Sequence, residues 1–322
     1  MDVPRQIFIA GTGRSGTTQL VELLGMHPEI YNVPMESRFI IDPGGLEDLA
    51  DDLTSRFTVH HGDRALERFD RLVRQELVGR LDTSFKNFHL DRRIGPDIWW
   101  THVNRFVDDL IDYAFEEDVP IDIHSQGARM HWPSQNPRFR RVVPHWFEHR
   151  ADLVARMAAF VDGMFGDAAT RYGRRFWVEK TPNNLLSMPF LWELFPDAAI
   201  IHVTRDPRGV FRSFMKQAWA PDDPQAVVKL LRPVYARWAR FRDTFDLGAK
   251  RYLQVRLEDL ADDPSAMMTQ ILAFLHADLS LIYPDDAFKG DRVDYWRGTD
   301  DPAIALCEDT LGPYFAAMGY EV

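Results

Sequence analysis

The sequence predicts an α/β fold in which a parallel sheet is flanked by helices and carries a helix-rich insert. Three observations lead there. Ile7-Phe8-Ile9-Ala10 is an unbroken apolar run, the pattern of a strand covered on both faces. A Gly-rich turn and a helical pattern follow it, and the same strand-then-helix order returns at 199–216. Between these regions, about 45–170 is helix-rich and holds the clusters Trp99-Trp100, His131-Trp132 and His145-Trp146. Strands lie on either side of that segment. It therefore reads as a cap inserted into one domain, 1–322, rather than as an independent domain.

The elements follow in order. From Thr17 to Met26, Leu20, Leu23 and Leu24 share one helical face, and His27-Pro28 ends the helix because the residue before proline leaves the helical region. Leu153, Val154, Met157, Ala158, Val161, Met164 and Phe165 repeat at helical spacing. Phe176-Trp177-Val178, Ala199 to Val203 and Tyr252 to Val255 are further core strands, and a helix covers about Pro207 to Lys216. Arg208 and Arg212 on that helix read as solvated charges. Near the end of the chain Asp301 is an N-cap, Pro302 fits the first turn and Gly319 is a stop. The stripe Ile304, Cys307, Leu311, Tyr314, Met318 spans a break at Gly312-Pro313. It puts Cys307 in the core, as a packing thiol rather than a nucleophile.

A chain of 322 residues can bury a full core. Its 38 Lys+Arg against 49 Asp+Glu leave a formal charge of −11, which argues against non-specific nucleic-acid binding but not against a small anion held by a local cluster. One cysteine excludes a disulfide scaffold or a Cys-rich zinc site and fits a reducing compartment. The start MDVPRQIFIA lacks the basic and apolar regions of a signal peptide, and no run approaches 18 apolar residues. The expectation is a cytoplasmic protein without a membrane span.

Chemistry concentrates first in Gly11-Thr12-Gly13-Arg14-Ser15-Gly16-Thr17-Thr18, which follows the first strand and opens a helix. Glycines let a backbone approach an anion, and the first amides of a helix point at it. The spacing is nearly that of a P-loop, so the predicted core is P-loop-like. The lysine that a P-loop NTPase sets on its β- and γ-phosphates is replaced by Thr17, and the nearest cation is Arg14. Such a loop suits a nucleotide phosphate and is poorly made for ATP hydrolysis.

A strand followed by G-R-S-G-T-T resembles the 5′-phosphosulfate loop of sulfotransferases that use 3′-phosphoadenosine 5′-phosphosulfate (PAPS). The resemblance assigns Gly13, Arg14, Ser15, Gly16, Thr17 and Thr18 to that loop. A second stretch, Ala198 to Ser213, is similar to the family's 3′-phosphate motif: a strand delivers Arg205, and Ser213 lies eight residues later on a helix. The resemblance implies that Arg205 and Ser213 hold the 3′-phosphate, a task suited to a forked cation and a hydroxyl. The segment from Lys180-Thr181-Pro182 to Leu194-Phe195-Pro196 resembles the protein-tyrosine and bacterial small-molecule branches, in which the matching lysine contacts the transferring group. Glu36-Ser37-Arg38 is similar to the tyrosylprotein branch, which places a catalytic Glu there. Glu36 is therefore the expected base, assisted by Arg14 and Lys180, with His124 and His131 as rivals after the aryl and steroid branch.

Two departures stand out. Gln19 occupies the position of the aryl branch's adenine-stacking Trp, and that branch's Arg-Lys-Gly signature is missing. Tyr295-Trp296-Arg297-Gly298 is the candidate replacement, with Arg297 meeting the 3′-phosphate and Trp296 near the adenine. The resemblance implies a PAPS-dependent sulfotransferase that sulfates a hydroxyl of a small molecule, releases PAP and needs no metal. A P-loop kinase of a small metabolite and a catalytically silent nucleotide-binding protein are the alternatives. The acceptor and the oligomeric state stay open.

Overall fold

A computed structural model describes residues 5–118, 138–281, 283, 288, 290, 293–298 and 301–322. The chain opens with β1 (Gln6–Gly11), α1 (Thr17–Gly25) and the short β2 (Ile30–Asn32). Next come α2 (Leu46–Asp52), α3 (Val59–Arg71) with a π-helical extension at Leu72–Glu76, α4 (Leu90–Ile94), α5 (Pro96–Asp108), and the antiparallel pair β3 (Ile111–Asp118) and β4 (Arg138–Pro144). The long α6 (Arg150–Arg171) leads to β5 (Phe176–Lys180), α7 (Met188–Leu194), β6 (Ala199–Thr204) and α8 (Pro207–Phe214). The rest is α9 (Pro224–Thr244), β7 (Tyr252–Arg256), α10 (Leu257–Asp262), α11 (Pro264–Leu275), α12 (Pro302–Leu311) and α13 (Phe315–Met318).

Two units divide the chain: Met1–Arg38 with Val161–Val322, and Phe39–Phe160. The first holds the sheet, in the order β2-β5-β1-β6-β7 with every pair parallel. Parallel strands need covered faces, and both are filled. On one face Ile7, Ile9, Leu20, Leu24, Val178, Ile201 and Val255 form a continuous apolar cluster. On the other, Phe8, Phe165 and Phe195 pack edge-on around Trp177. The register sets Ile9 level with Lys180 of β5 and with Ile201 of β6. The carboxyl ends of β1, β5 and β6 therefore lie side by side, where open parallel sheets bind ligands.

The second unit packs around its own aromatic core, with Phe106 stacked on Phe160 at 4.4 Å and Phe39 edge-on to Trp99. It is helix-rich as expected, yet it also carries the β3–β4 pair, which the sequence reading did not foresee. In β3 the apolar and polar side chains alternate without a buried face: Tyr113 and Phe115 are both exposed.

The four expected strands form with limits within two residues of those read. Three-residue β2 is too short to leave a pattern, and α9 and α11 were not singled out. Asp301 caps α12 by accepting from the Ala303 amide, and Gly312–Tyr314 forms the expected break as one 3₁₀ turn. Cys307 is buried, and burial pushes its thiol up to about 12, in keeping with a packing role. One expectation fails. Arg208 and Arg212 are not solvated: Arg208 donates to Asp206 and Glu308 and stacks on Trp296, while Arg212 pairs with Asp301. These arginines clamp α8 to the C-terminal helix.

One buried group gives the fold a pH dependence. His202 on β6 is fully buried, 2.8 Å from the Tyr252 hydroxyl and edge-on to Trp238. Burial and then the Arg242 charge lower its pKa from 6.5 to about 3. The unfolded chain binds this proton near pH 6.5 and the folded chain only near 3, so stability present above pH 6.5 is lost between those values. In thermal melts between pH 7 and pH 4, His202→Gln is expected to show a shallower decline than the wild type. Parallel declines would refute this.

Candidate active site

The loop after β1 owes its path to left-handed backbone at three positions: Gly13 (φ 75), Arg14 (φ 56) and Gly16 (φ 98). Gly16 is required twice over. Its φ is strained for any side chain, and a Cβ there would lie 2.3 Å from Leu257 Cδ1. It caps α1, whose first turn carries no acidic residue, so the positive end of that helix is left for an anion. Opposite stands the segment after β6. Asp206 caps α8 through the Arg208 amide, and its own amide donates to buried Glu258.

The two segments meet directly. Arg14 Nε donates to Ser213 Oγ at 3.1 Å, and Arg205 Nη1 donates to the Arg14 carbonyl at 3.1 Å. Arg205 Nη2 donates to the Val293 carbonyl at 2.8 Å. Burial lowers the pKa of Arg205, opposed by Tyr295 and Glu258. Together these residues border a cavity of about 770 Å³ lined by Arg14, Gly16, Thr17, Thr18, Arg205 and Ser213, and also by Gln19, Lys216, Gln217, Leu257, Val293 and Tyr295.

A second cluster forms at the end of β5. Lys180 Nζ lies 3.2 Å from Glu36 Oε1, and Arg38 Nη2 lies 2.6 Å from Glu36 Oε2. Met35 (φ 65) and Arg38 (φ 62), neither of them glycine, hold left-handed backbone on either side of Glu36. Such conformations persist only where surroundings enforce them, and they gather at functional sites. The enforcing group is Glu179, fully buried beside Lys180. Its Oε1 accepts from the Ser37 amide (3.1 Å), the Ser37 hydroxyl (2.9 Å) and the Thr181 hydroxyl (2.7 Å). Its Oε2 accepts from Asn184 Nδ2 (2.8 Å), which also reaches the Ile9 carbonyl.

The expected site residues thus fall into two groups. Arg14, Gly16, Thr17, Thr18, Arg205 and Ser213 share the cavity, and Glu36 with Lys180 forms an ion pair. Gly13 sits against Phe214, and Ser15 is buried under the loop toward Gly11; neither is among the lining residues. Arg297 is not brought to the cavity either: its side chain is 60% exposed, paired with Asp294 and laid on Trp296. Trp296 packs against Arg208, and its neighbour Tyr295 lines the cavity instead. His124 and His131 lie outside the described residues. Sequence reading missed Glu179 and Lys216, and within the Tyr295–Gly298 stretch it gave roles to Trp296 and Arg297 rather than to Tyr295. For Glu179 a signal existed, since an acid inside a covered parallel strand needs partners.

No group of three or more His, Cys, Asp or Glu able to hold a metal ion occurs among the described residues, and no described helix is long and apolar enough to cross a membrane. No curated protein matches the sequence. Among solved structures, the sulfotransferase domain of the Synechococcus PCC 7002 olefin synthase is similar at 20% identity and TM-score 0.46, over 96% of this chain and 95% of that one. Sulfotransferase STF9 from Mycobacterium avium is similar at 15% identity and TM-score 0.45, over 100% and 79%. A sulfotransferase from Alicyclobacillus acidocaldarius is similar at 14% identity and TM-score 0.44, over 100% and 98%. A family model described as the sulfotransferase family matches residues 4–280, most of the 322, and the chain belongs to that family.

Proposed function

We propose that this sulfotransferase takes its sulfuryl group from PAPS and delivers it to a hydroxyl of a small-molecule acceptor, releasing PAP. The observation that carries this reading is the direct joining of Arg14, Ser213 and Arg205 on the wall of one cavity. The donor set suits a nucleotide with phosphates at both ends. Loop amides and the positive end of α1 fit the 5′-phosphate, and Arg205 with Ser213 fits the 3′-phosphate. Thr17 in the place of a P-loop lysine gives a kinase reading no support.

In the proposed reaction the acceptor oxygen bonds to sulfur as the bond from sulfur to the 5′-phosphate oxygen breaks. The acceptor proton passes to Glu36. Both Glu36 oxygens are engaged, Oε2 by Arg38 at 2.6 Å and Oε1 by Lys180 at 3.2 Å, so Oε1, with the longer and weaker contact, is the oxygen that takes it. Lys180 and Arg14 stabilise charge on the transferring group and on the departing phosphate. Arg14 is engaged through Nε by Ser213, which leaves its terminal nitrogens for that task.

PAP is expected to raise the melting temperature and ATP to raise it much less. A ligand at 100 times its dissociation constant adds about 2.7 kcal/mol, several degrees for a chain of this size. Ser213→Ala should shrink the PAP shift, and Arg205→Ala should remove most of it. Equal shifts from PAP and ATP in the wild type would defeat the donor assignment.

Glu36→Gln keeps size and polarity but removes the proton acceptor. Turnover with an aliphatic alcohol acceptor is expected to fall about 10²–10⁴-fold, with PAP affinity nearly unchanged. A joint loss of stability and PAP binding would mark Glu36 as a partner of Lys180 and Arg38 only. Near-normal turnover would shift the role to His124 or His131.

A further inference from the structure

The cavity holds one cation that the reaction described above does not use. Lys216 lies three residues after Ser213, and the chain keeps turning past the end of α8, with the Gln217 amide bonded to the Phe214 carbonyl. Ser213 and Lys216 therefore project from neighbouring positions on one side of that turn, and both line the cavity. Lys216 Nζ stands 4.0 Å from the centre of the Tyr295 ring. The Arg205 guanidinium carbon lies 5.8 Å from the same ring. One aromatic ring on the cavity wall thus gathers two cations, and Ser213 lines the same cavity.

The charge balance gives this arrangement a purpose. A phosphate monoester carries about −1.5 to −2 near neutral pH. Arg205 supplies one positive charge and already directs two nitrogens at the carbonyls of Arg14 and Val293. Ser213 supplies none. On the reading of the donor as PAPS, we infer that Lys216 is the second cation of the 3′-phosphate subsite. It rests on the Tyr295 ring while the subsite is empty and turns to the phosphate when a 3′-phosphorylated nucleotide enters. A cation–π contact at an exposed position is weak beside a charge-assisted hydrogen bond to phosphate, so the exchange favours binding. Lys216 then sets the preference for a nucleotide with a 3′-phosphate over one without it.

Calorimetric titration of the full-length protein with PAP and with adenosine 5′-phosphate, which lacks the 3′-phosphate, tests this. Lys216→Met is expected to bind PAP about tenfold more weakly or worse, as the loss of one charged contact implies. Its affinity for adenosine 5′-phosphate should match the wild type, and Lys216→Arg should keep most of the PAP affinity. Lys216 is exposed, so both variants are expected to fold, and unchanged melting temperatures check this. Unaltered PAP affinity in Lys216→Met, or equal losses for both nucleotides, would overturn the inference while leaving the donor reading in place. A wild type that does not bind PAP would overturn both.

Discussion

A single buried carboxylate organises the end of the sheet where Glu36 meets Lys180. Glu179 has no access to water and accepts from four donors, spread over the loop after β2, the end of β5 and the turn that follows it. A charge so placed is tolerable only when every lone pair is occupied by a donor in good geometry. That requirement runs in both directions: the donors satisfy the carboxylate, and the carboxylate dictates where they stand. Ser37 is bonded by both amide and hydroxyl, so the backbone beside Glu36 cannot drift. Lys180 is fixed as the next residue along the strand. The ion pair between Glu36 and Lys180 is thus built from two residues that each adjoin a partner in the Glu179 network.

The cavity beside Arg14 and Arg205 depends on a different constraint, the parallel register of β1 with β6. Gly11 is level with Val203, so the loop that follows one strand and the helix that follows the other start from the same edge. Arg205 then needs no long reach to hold the Arg14 carbonyl. The left-handed backbone of Arg14, unusual for a side-chain-bearing residue, is compensated by that bond and by the one from its own Nε to Ser213. Side chains at this edge are therefore positioned by main-chain pairing first and side-chain contacts second.

Much of this was legible in the sequence, and the legible part has a common character. Strands β1, β5, β6 and β7 announce themselves as short apolar runs, and the Gly13–Thr18 loop and Arg205 with Ser213 sit at fixed spacings next to such runs. Those are local signals. What stayed hidden depends on groups that meet only in space. Tyr295 and Trp296 are adjacent, equally aromatic and equally plausible as cavity residues, and only the packing of Arg208 decides that Trp296 is buried elsewhere. Arg297 was a candidate phosphate ligand as the replacement for the missing Arg-Lys-Gly signature, yet Asp294, one turn back, already pairs with it. Arg208 and Arg212 read as surface charges because the partners that tie them to α12, Glu308 and Asp301, lie about 90–100 residues further along, although Arg208 also has a local partner in Asp206. In β3 the alternation of Ile111, Tyr113 and Phe115 with Asp112 and Glu116 is short, has no buried face and lies in a segment that otherwise reads as helical.

The strand order has a bearing on how the chain is made. Among the described residues β1 pairs with β5 and β6 alone, and β2 pairs with β5. Both N-terminal strands are therefore translated long before any strand exists to receive them. At ribosomal speeds of roughly 5–20 residues per second, the apolar edge of β1 waits on the order of ten seconds or more for β5. Throughout that interval Ile7, Phe8 and Ile9 form a short, uncharged, β-prone segment with unpaired backbone groups, the kind of edge that recruits other chains. Helix α1, which follows at once, can shield one side of it, but the hydrogen-bonding edges stay open until residue 180 has emerged. The time for which the first strand stays unpaired during synthesis is therefore set by the length of the insert, and slower translation across the insert lengthens the exposure rather than relieving it.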